Sequence, residues 1–173
     1  MAVLIRSVSL LFLSFMLAGC RSGPEQWGPF RGQVVDEDSG MPIAGANVMV
    51  LWIREPPNFH FTQWFYDAQE TVTDESGRFE LRRQTRLLTA FVNEPGVGVF
   101  VPGYLMLAPE VTPRSNGRRY VDPTVIRMRP LKTREEQCKY EPRGITGDAH
   151  THVPRFVKAQ YDYQVALRCG QLR

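Results

Sequence analysis

The sequence is poor in the residues that carry most enzyme chemistry. It has only three cysteines and three histidines in 173 residues. Cys20, Cys138 and Cys169 stand far apart, with no CxxC pair, so the common zinc and redox spacings are missing. No glycine-flanked nucleophilic serine and no Ser-His-Asp order stands out. Charge of one sign is also scarce. The formal net charge is +3, with acids and bases interspersed, which gives no support for nucleic-acid binding. Long apolar runs are missing too. Val8–Gly19 falls short of the roughly 20 apolar residues a membrane span needs, and no later run is long enough.

What is there begins with that short run. Arg6 precedes it, and Ala18 and Gly19 lead from it into Cys20, the layout of an export signal. Leu17-Ala18-Gly19-Cys20 resembles the bacterial lipobox. The resemblance implies cleavage before Cys20, a diacylglycerol thioether on its sulfur and acylation of its new amine. Each buried methylene contributes about 0.8 kcal/mol, so several acyl chains on one residue hold firmly. The alternative is an ordinary secretory signal with Cys20 incidental. Lipoprotein sorting rules add that Arg21, which is not aspartate, directs the chain to the outer membrane if the source is Gram-negative. Residues 1–19 are then a signal peptide. Residues 20–29 are a flexible tether rich in Gly, Pro and polar residues. Losing Arg6 lowers the formal charge from +3 to +2.

Cys138 and Cys169 remain after lipidation. In an oxidising compartment an even pair most simply forms a disulfide. The chain-entropy model values closure of its loop of about 30 residues at roughly 3–4 kcal/mol.

From Phe30 to about Pro130 the chain reads as short strands between Gly and Pro signals: FRGQVVDE, ANVMVLWIR, FTQWFYDAQETVTD, RFELR, LLTAFVN, VGVFV, GYLMLA and PTVIRMR. ANVMVLWIR is apolar on both faces, Val48, Val50 and Trp52 on one and Met49, Leu51 and Ile53 on the other, which predicts a central strand. Asp74-Glu75-Ser76-Gly77 predicts a tight turn with glycine at positive φ. The spacing suggests an antiparallel β-sandwich. After Pro130 the texture becomes helical. Thr133 and Glu136 form a capping-box pattern ahead of Cys138. Pro154 opens a second helix, on which Val157, Tyr161, Val165 and Cys169 predict a packing face, and Gly170 is the expected stop. The disulfide then joins two helical pieces in a tail over residues 131–173.

Three segments together carry a family likeness. They are GQVVDEDSGMPIAGANVMVL, TVTDESGRFEL and VPGYLML. The set resembles the carboxypeptidase regulatory-like domain, over Phe30 to about Leu107. The resemblance implies a seven-stranded transthyretin-like (prealbumin-type) β-sandwich for residues 30–130. It also implies an accessory, non-catalytic role. On the residues alone, Gly32 and Gly45 suit chain crossing or positive φ, and Asp36 and Asp74 can bond the backbone of their turns. These are scaffold roles.

Two alternatives compete with a binding or scaffolding module. His150 and His152 form an HxH pair that, with His60 and a carboxylate such as Asp148, could hold a metal if the loops converge. Intradiol dioxygenases share a related sandwich and this histidine spacing, but the flanking Arg-Pro context and a matching tyrosine are missing. The Tyr-Arg-Gly-Ser ending of transthyretin-like hydrolases is missing as well. Segment 58–66 crowds Phe59, His60, Phe61, Trp64, Phe65 and Tyr66 beside Pro56 and Pro57. Its aromatics either fill a core or expose Phe59, Trp64 or Tyr66 to a glycan or a protein. Arg114, Arg118 and Arg119 form a small basic tip. The balance favours an envelope lipoprotein with an envelope protein partner, no cofactor, no metal and no enzymatic activity. Carbohydrate binding and iron chemistry stand as the alternatives.

Overall fold

A computed structural model describes residues 25–54, 64–82, 84–86, 95–109, 124–142 and 147–169. The strands are β1 (Glu25–Trp27), β2 (Phe30–Asp36), β3 (Asn47–Arg54), β4 (Trp64–Val72), β5 (Arg78–Leu81), β6 (Gln84–Arg86), β7 (Gly96–Phe100) and β8 (Thr124–Met128). A helix α1 (Arg134–Lys139), a 3-10 turn (Gly147–Thr151) and a helix α2 (Pro154–Leu167) follow. The lipidation motif, Phe59, His60, the LLTAFVN segment and the basic tip at Arg114, Arg118 and Arg119 lie outside the described residues.

The protein is mainly β, with two three-stranded sheets ordered β5-β2-β8 and β4-β3-β7 and a two-stranded ribbon of β1 and β6. The ribbon takes in Glu25–Trp27, so the end of the expected tether is already paired, Trp27 opposite Gln84. Three expectations change. First, β2 and β8 run parallel, Gly32 beside Thr124 and Asp36 beside Met128, where all pairings were expected antiparallel. Strand-like spacing carries no information on the direction of a distant partner, so only the tertiary path sets it. Second, GYLMLA is not a regular strand. Leu107 alone pairs with Val99, by two backbone bonds of 2.9 and 3.0 Å, and Tyr104 bridges Pro130. Third, the two main sheets hold six strands among the described residues, against the seven expected.

β3 lies at the centre of its sheet, as its two apolar faces require. Val48, Val50 and Trp52 join Phe30, Val34, Phe79, Leu81 and Met128 in one cluster fed by both sheets. Met49 and Leu51 face the other way, into a cluster with Phe100, Val153 and Phe156 under α2. Two glycines make these approaches possible. A Cβ on Gly32 would lie 2.7 Å from the Phe79 ring and from the Thr124 carbonyl oxygen, in the β2–β8 seam. Gly77 closes its turn at φ +70, and its Cβ would meet the Val34 carbonyl oxygen at 2.5 Å.

The helical tail starts as the capping box predicts. Thr133 Oγ1 accepts from the Glu136 N–H at 3.1 Å, and Glu136 Oε2 accepts from the Lys132 and Thr133 N–H groups. Pro154 opens α2. Its packing face differs from the expected one. Phe156, Gln160 and Leu167 are buried, whereas Tyr161 and Val165 are 64% and 52% exposed. Strict spacing by four drifts about 40° per step, because a turn takes 3.6 residues. Alternating steps of three and four, through 153, 156, 160, 163 and 167, stay on one side. Helix α2 ends at Leu167 on Arg168, a left-handed cap at φ 48, before Gly170 is reached. Cys138 and Cys169 are bonded, with Cα atoms 5.5 Å apart, and join α1 to the end of α2. The Arg134 guanidinium adds a 2.7 Å bond to the Leu167 carbonyl.

Candidate functional site

The most chemically varied surface grows from an irregularity in β4. Its register with β3 shifts between Trp52 and Ile53, so that Trp52 faces Asp67 while Ile53 faces Phe65. Tyr66 is the extra residue of this bulge. The side chains around it go to different surroundings. Tyr66 packs against the cluster between the sheets, Phe65 joins the cluster under α2, and Trp64 remains 48% exposed. Of the residues that the glycan alternative would expose, Trp64 and Tyr66 lie among the described ones. Trp64 keeps its surface position and Tyr66 does not.

The bulge also sets Asp67 at the sheet edge. Its side chain is only 13% exposed, and its Oδ1 accepts from the Ala68 N–H at 2.9 Å. His152 Nδ1 lies 3.7 Å from the same oxygen, and the His152 ring sits 4.8 Å from the Phe65 ring. That separation exceeds a hydrogen bond and serves as an ion pair only when the imidazole is protonated. His150 is exposed on the 3-10 turn. Among the described residues, no group of three or more His, Cys, Asp or Glu is placed to hold a metal ion.

Glu70, three residues further along β4, has a defined task. Its Oε1 accepts from the Arg155 N–H at 3.0 Å and its Oε2 from the Phe156 N–H at 2.8 Å. Val153 occupies the N-cap position of α2 and makes no side-chain cap bond. A carboxylate from a strand therefore satisfies the free donors of the helix start and complements its positive end. Sequence reading missed both Asp67 and Glu70. The available signal was the uncapped Val153-Pro154 start, which requires an acceptor from elsewhere but does not say which one.

Between the edges of β4 and β5 lies an open cleft of about 360 Å³, lined by Gln69, Glu70, Thr71, Glu80, Leu81, Arg82 and His152. It mixes both signs of charge with amide and hydroxyl groups. Such an opening suits contact with a polar chain or surface better than enclosure of an apolar ligand.

The scaffold carboxylates stand where the sequence places them. Asp36 Oδ1 accepts from the Ser39 N–H and hydroxyl at 2.7 and 2.8 Å. The Tyr104 hydroxyl donates to its Oδ2 at 3.0 Å. The Ser39 N–H contributes most to holding Asp36 below the usual carboxylate range, while burial first and Asp36 second push the Tyr104 hydroxyl up. Asp74 Oδ1 accepts from the Arg78 and Ser76 N–H groups, both at 2.9 Å, and from the Ser76 hydroxyl at 2.7 Å. The Arg78 N–H leads in lowering its pKa. At the same end of the molecule as Asp36, Lys132 bonds Asp38 at 2.8 Å, which raises the Lys132 pKa. Compared with known proteins, the chain matches no protein-family model, and no curated protein is significantly similar to it.

Proposed function

We propose that this protein is an exported lipoprotein, held to an envelope membrane through acylated Cys20, that works as a non-catalytic binding or scaffolding module. In a Gram-negative source that membrane is the outer one. The proposal takes the domain as a seven-stranded transthyretin-like sandwich of the carboxypeptidase regulatory-like kind, with the C-terminal helices as an appendage.

One observation carries the non-catalytic reading. Four carboxylates are committed to backbone donors, Asp36 and Asp74 in turns and Glu70 and Glu136 at helix starts, and Asp67 accepts from the Ala68 N–H. In Asp36 and Asp74 these bonds hold the carboxyl below the usual carboxylate range, which makes each a poor proton shuttle. What remains is the open β4–β5 cleft, whose lining suits a polypeptide partner.

In-cell photo-crosslinking tests this. A photoreactive residue at Thr71, inside the cleft, is expected to give a discrete product in the anchored protein. The product should be lost when Cys20→Ser prevents anchoring. The same probe at Asp162, on the outer side of α2, should not give it. Equal products from both positions, or none from Thr71, would sink the reading.

A further inference from the structure

The two sheets are finished differently on their outer faces. Helix α2 covers the outer face of β4-β3-β7, through Phe156 on Met49 and Phe100. The outer face of β5-β2-β8 has no such cover among the described residues. Strand alternation sends Phe30, Val34, Phe79, Leu81 and Met128 inward, and so sends Arg31, Arg78, Glu80 and Arg127 outward, with Arg82 following directly after β5. All five are exposed. Register brings them together. Arg31 stands opposite Glu80, Gln33 lies between Arg78 and Val125, and Arg127 is beside Val35. Val125, at 57% exposure, adds an apolar residue to the same face.

The face therefore carries four cations and one anion, a net +3. That exceeds the +2 of the whole chain once Arg6 is removed, so the rest of the mature protein is slightly acidic. Arg31 is paired with Glu80 at 3.4 Å, and Arg78 lies in the field of Asp74. Arg82 and Arg127 make no ion pair among the described residues. Every cation here is arginine. The guanidinium fork binds phosphate oxygens in pairs and is less strongly hydrated than an ammonium group.

The tether supplies the second observation. Five Cα-to-Cα steps lead from Cys20 to the start of β1, a reach of at most about 18 Å at roughly 3.5 Å per step. Arg31 follows six residues later, in β2 of this same sheet. An acylated Cys20 thus keeps this sheet at the bilayer surface, within reach of the headgroups.

We infer that the arginine-bearing outer face of the β5-β2-β8 sheet docks on the anionic phospholipid headgroups of the membrane that holds the anchor. This rests on the lipoprotein reading, and it adds an orientation. The sheet lies against the bilayer, and α2 points away from it. Arg82 then stands where the membrane-facing surface meets the β4–β5 cleft.

The test uses the unacylated chain from Arg21 onward, which contains every described residue. Vesicles of phosphatidylcholine, with and without phosphatidylglycerol, are sedimented with it. Binding is expected only to the anionic vesicles and should fall as salt rises, since exposed charges are screened beyond about 10 Å at 0.1 M. Each basic residue near an anionic surface is worth about fivefold in affinity. The double variant Arg78→Gln/Arg127→Gln should therefore bind more than tenfold more weakly. Lys158→Gln, on α2, should bind like the parent. Circular dichroism confirms that each variant is folded. Equal binding to neutral vesicles, no binding to either, preference for an anionic polysaccharide over the vesicles, or an equal loss in the Lys158 variant overturns the inference. The anchor is read separately, from the mass of the N-terminal peptide recovered from membranes. A chain acylated in cells whose unacylated form ignores anionic vesicles refutes the docking and leaves the anchor standing.

Discussion

Asp36 and Asp74 are residues whose sequence context already states their work. Each precedes a serine and a glycine in a turn, and each carboxylate gathers the N–H groups that the turn leaves unpaired. Their pKa values are lowered in the folded protein. Lowered values mean that the unfolded chain binds more protons in acid. This contribution to stability is complete above the unfolded value, about 3.9, and is lost as pH falls through the lower folded values. Urea midpoints of the parent should drop between about pH 5 and about pH 2. In Asp74→Asn part of that drop should disappear, because an amide does not titrate. An unchanged slope in the variant would refute the assignment. Gln160 was not legible in the same way. It is 1% exposed, its Nε2 lies 2.9 Å from the Met106 sulfur, and its Oε1 is buried without a partner among the described residues. Gln160→Met removes that oxygen at similar volume. It should leave stability unchanged or raise it by about 1–2 kcal/mol in thermal unfolding.

Helix α2 shows what an element owes to its surroundings. A helix of 14 residues is marginal alone. Val153 and Phe156 bury themselves against the sheet, at roughly 1.5–3 kcal/mol for each large side chain. Glu70 completes its first turn. Glu70→Ala should destabilise the protein by about 1–3 kcal/mol in urea titration, and hydrogen exchange should rise first at Arg155 and Phe156. A protection pattern unchanged there would contradict the cap. The other end is held covalently. Reducing or replacing the Cys138–Cys169 bond should cost about 3–4 kcal/mol and should loosen α1 and the last turn of α2 before the sheets. Calorimetry with and without reductant, followed by exchange on the reduced form, measures both. The cap at Thr133 and the proline at the start of α2 were legible because each is a local pattern. The buried face of α2 was not. Tyr161 and Val165 are apolar and evenly spaced, but the side that packs is chosen by where Glu70 and the disulfide hold the two ends.

At the scale of the whole molecule, the two outer sheet faces differ in kind, one under a helix and one bearing arginines. Anchoring is tested by fractionation. The parent should pellet with membranes and partition into detergent, and Cys20→Ser should do neither. A parent that behaves like the variant would end the lipoprotein proposal and return Cys20 to an incidental role. The cleft and the arginine face meet at Glu80, on β5, and at Arg82, just after it, since both line the cleft and are exposed. On the two proposals, partner capture and membrane contact would be neighbouring events on this surface.

Local order was enough for a good part of this architecture. The two-faced β3, the Asp74–Gly77 turn, the capping box and the cysteine pair all follow from residues within a few positions of one another or from simple parity. Their physics acts over one turn or one strand. Other features needed the folded chain. The parallel β2–β8 pair, the β3–β4 register shift that leaves Tyr66 unpaired, the meeting of Asp67 with His152 and the reach of Glu70 to α2 each join segments far apart in sequence. Periodicity says which side of a strand is apolar. It does not say which strand lies beside it or in which direction, because that choice depends on the closing of long loops around a shared core.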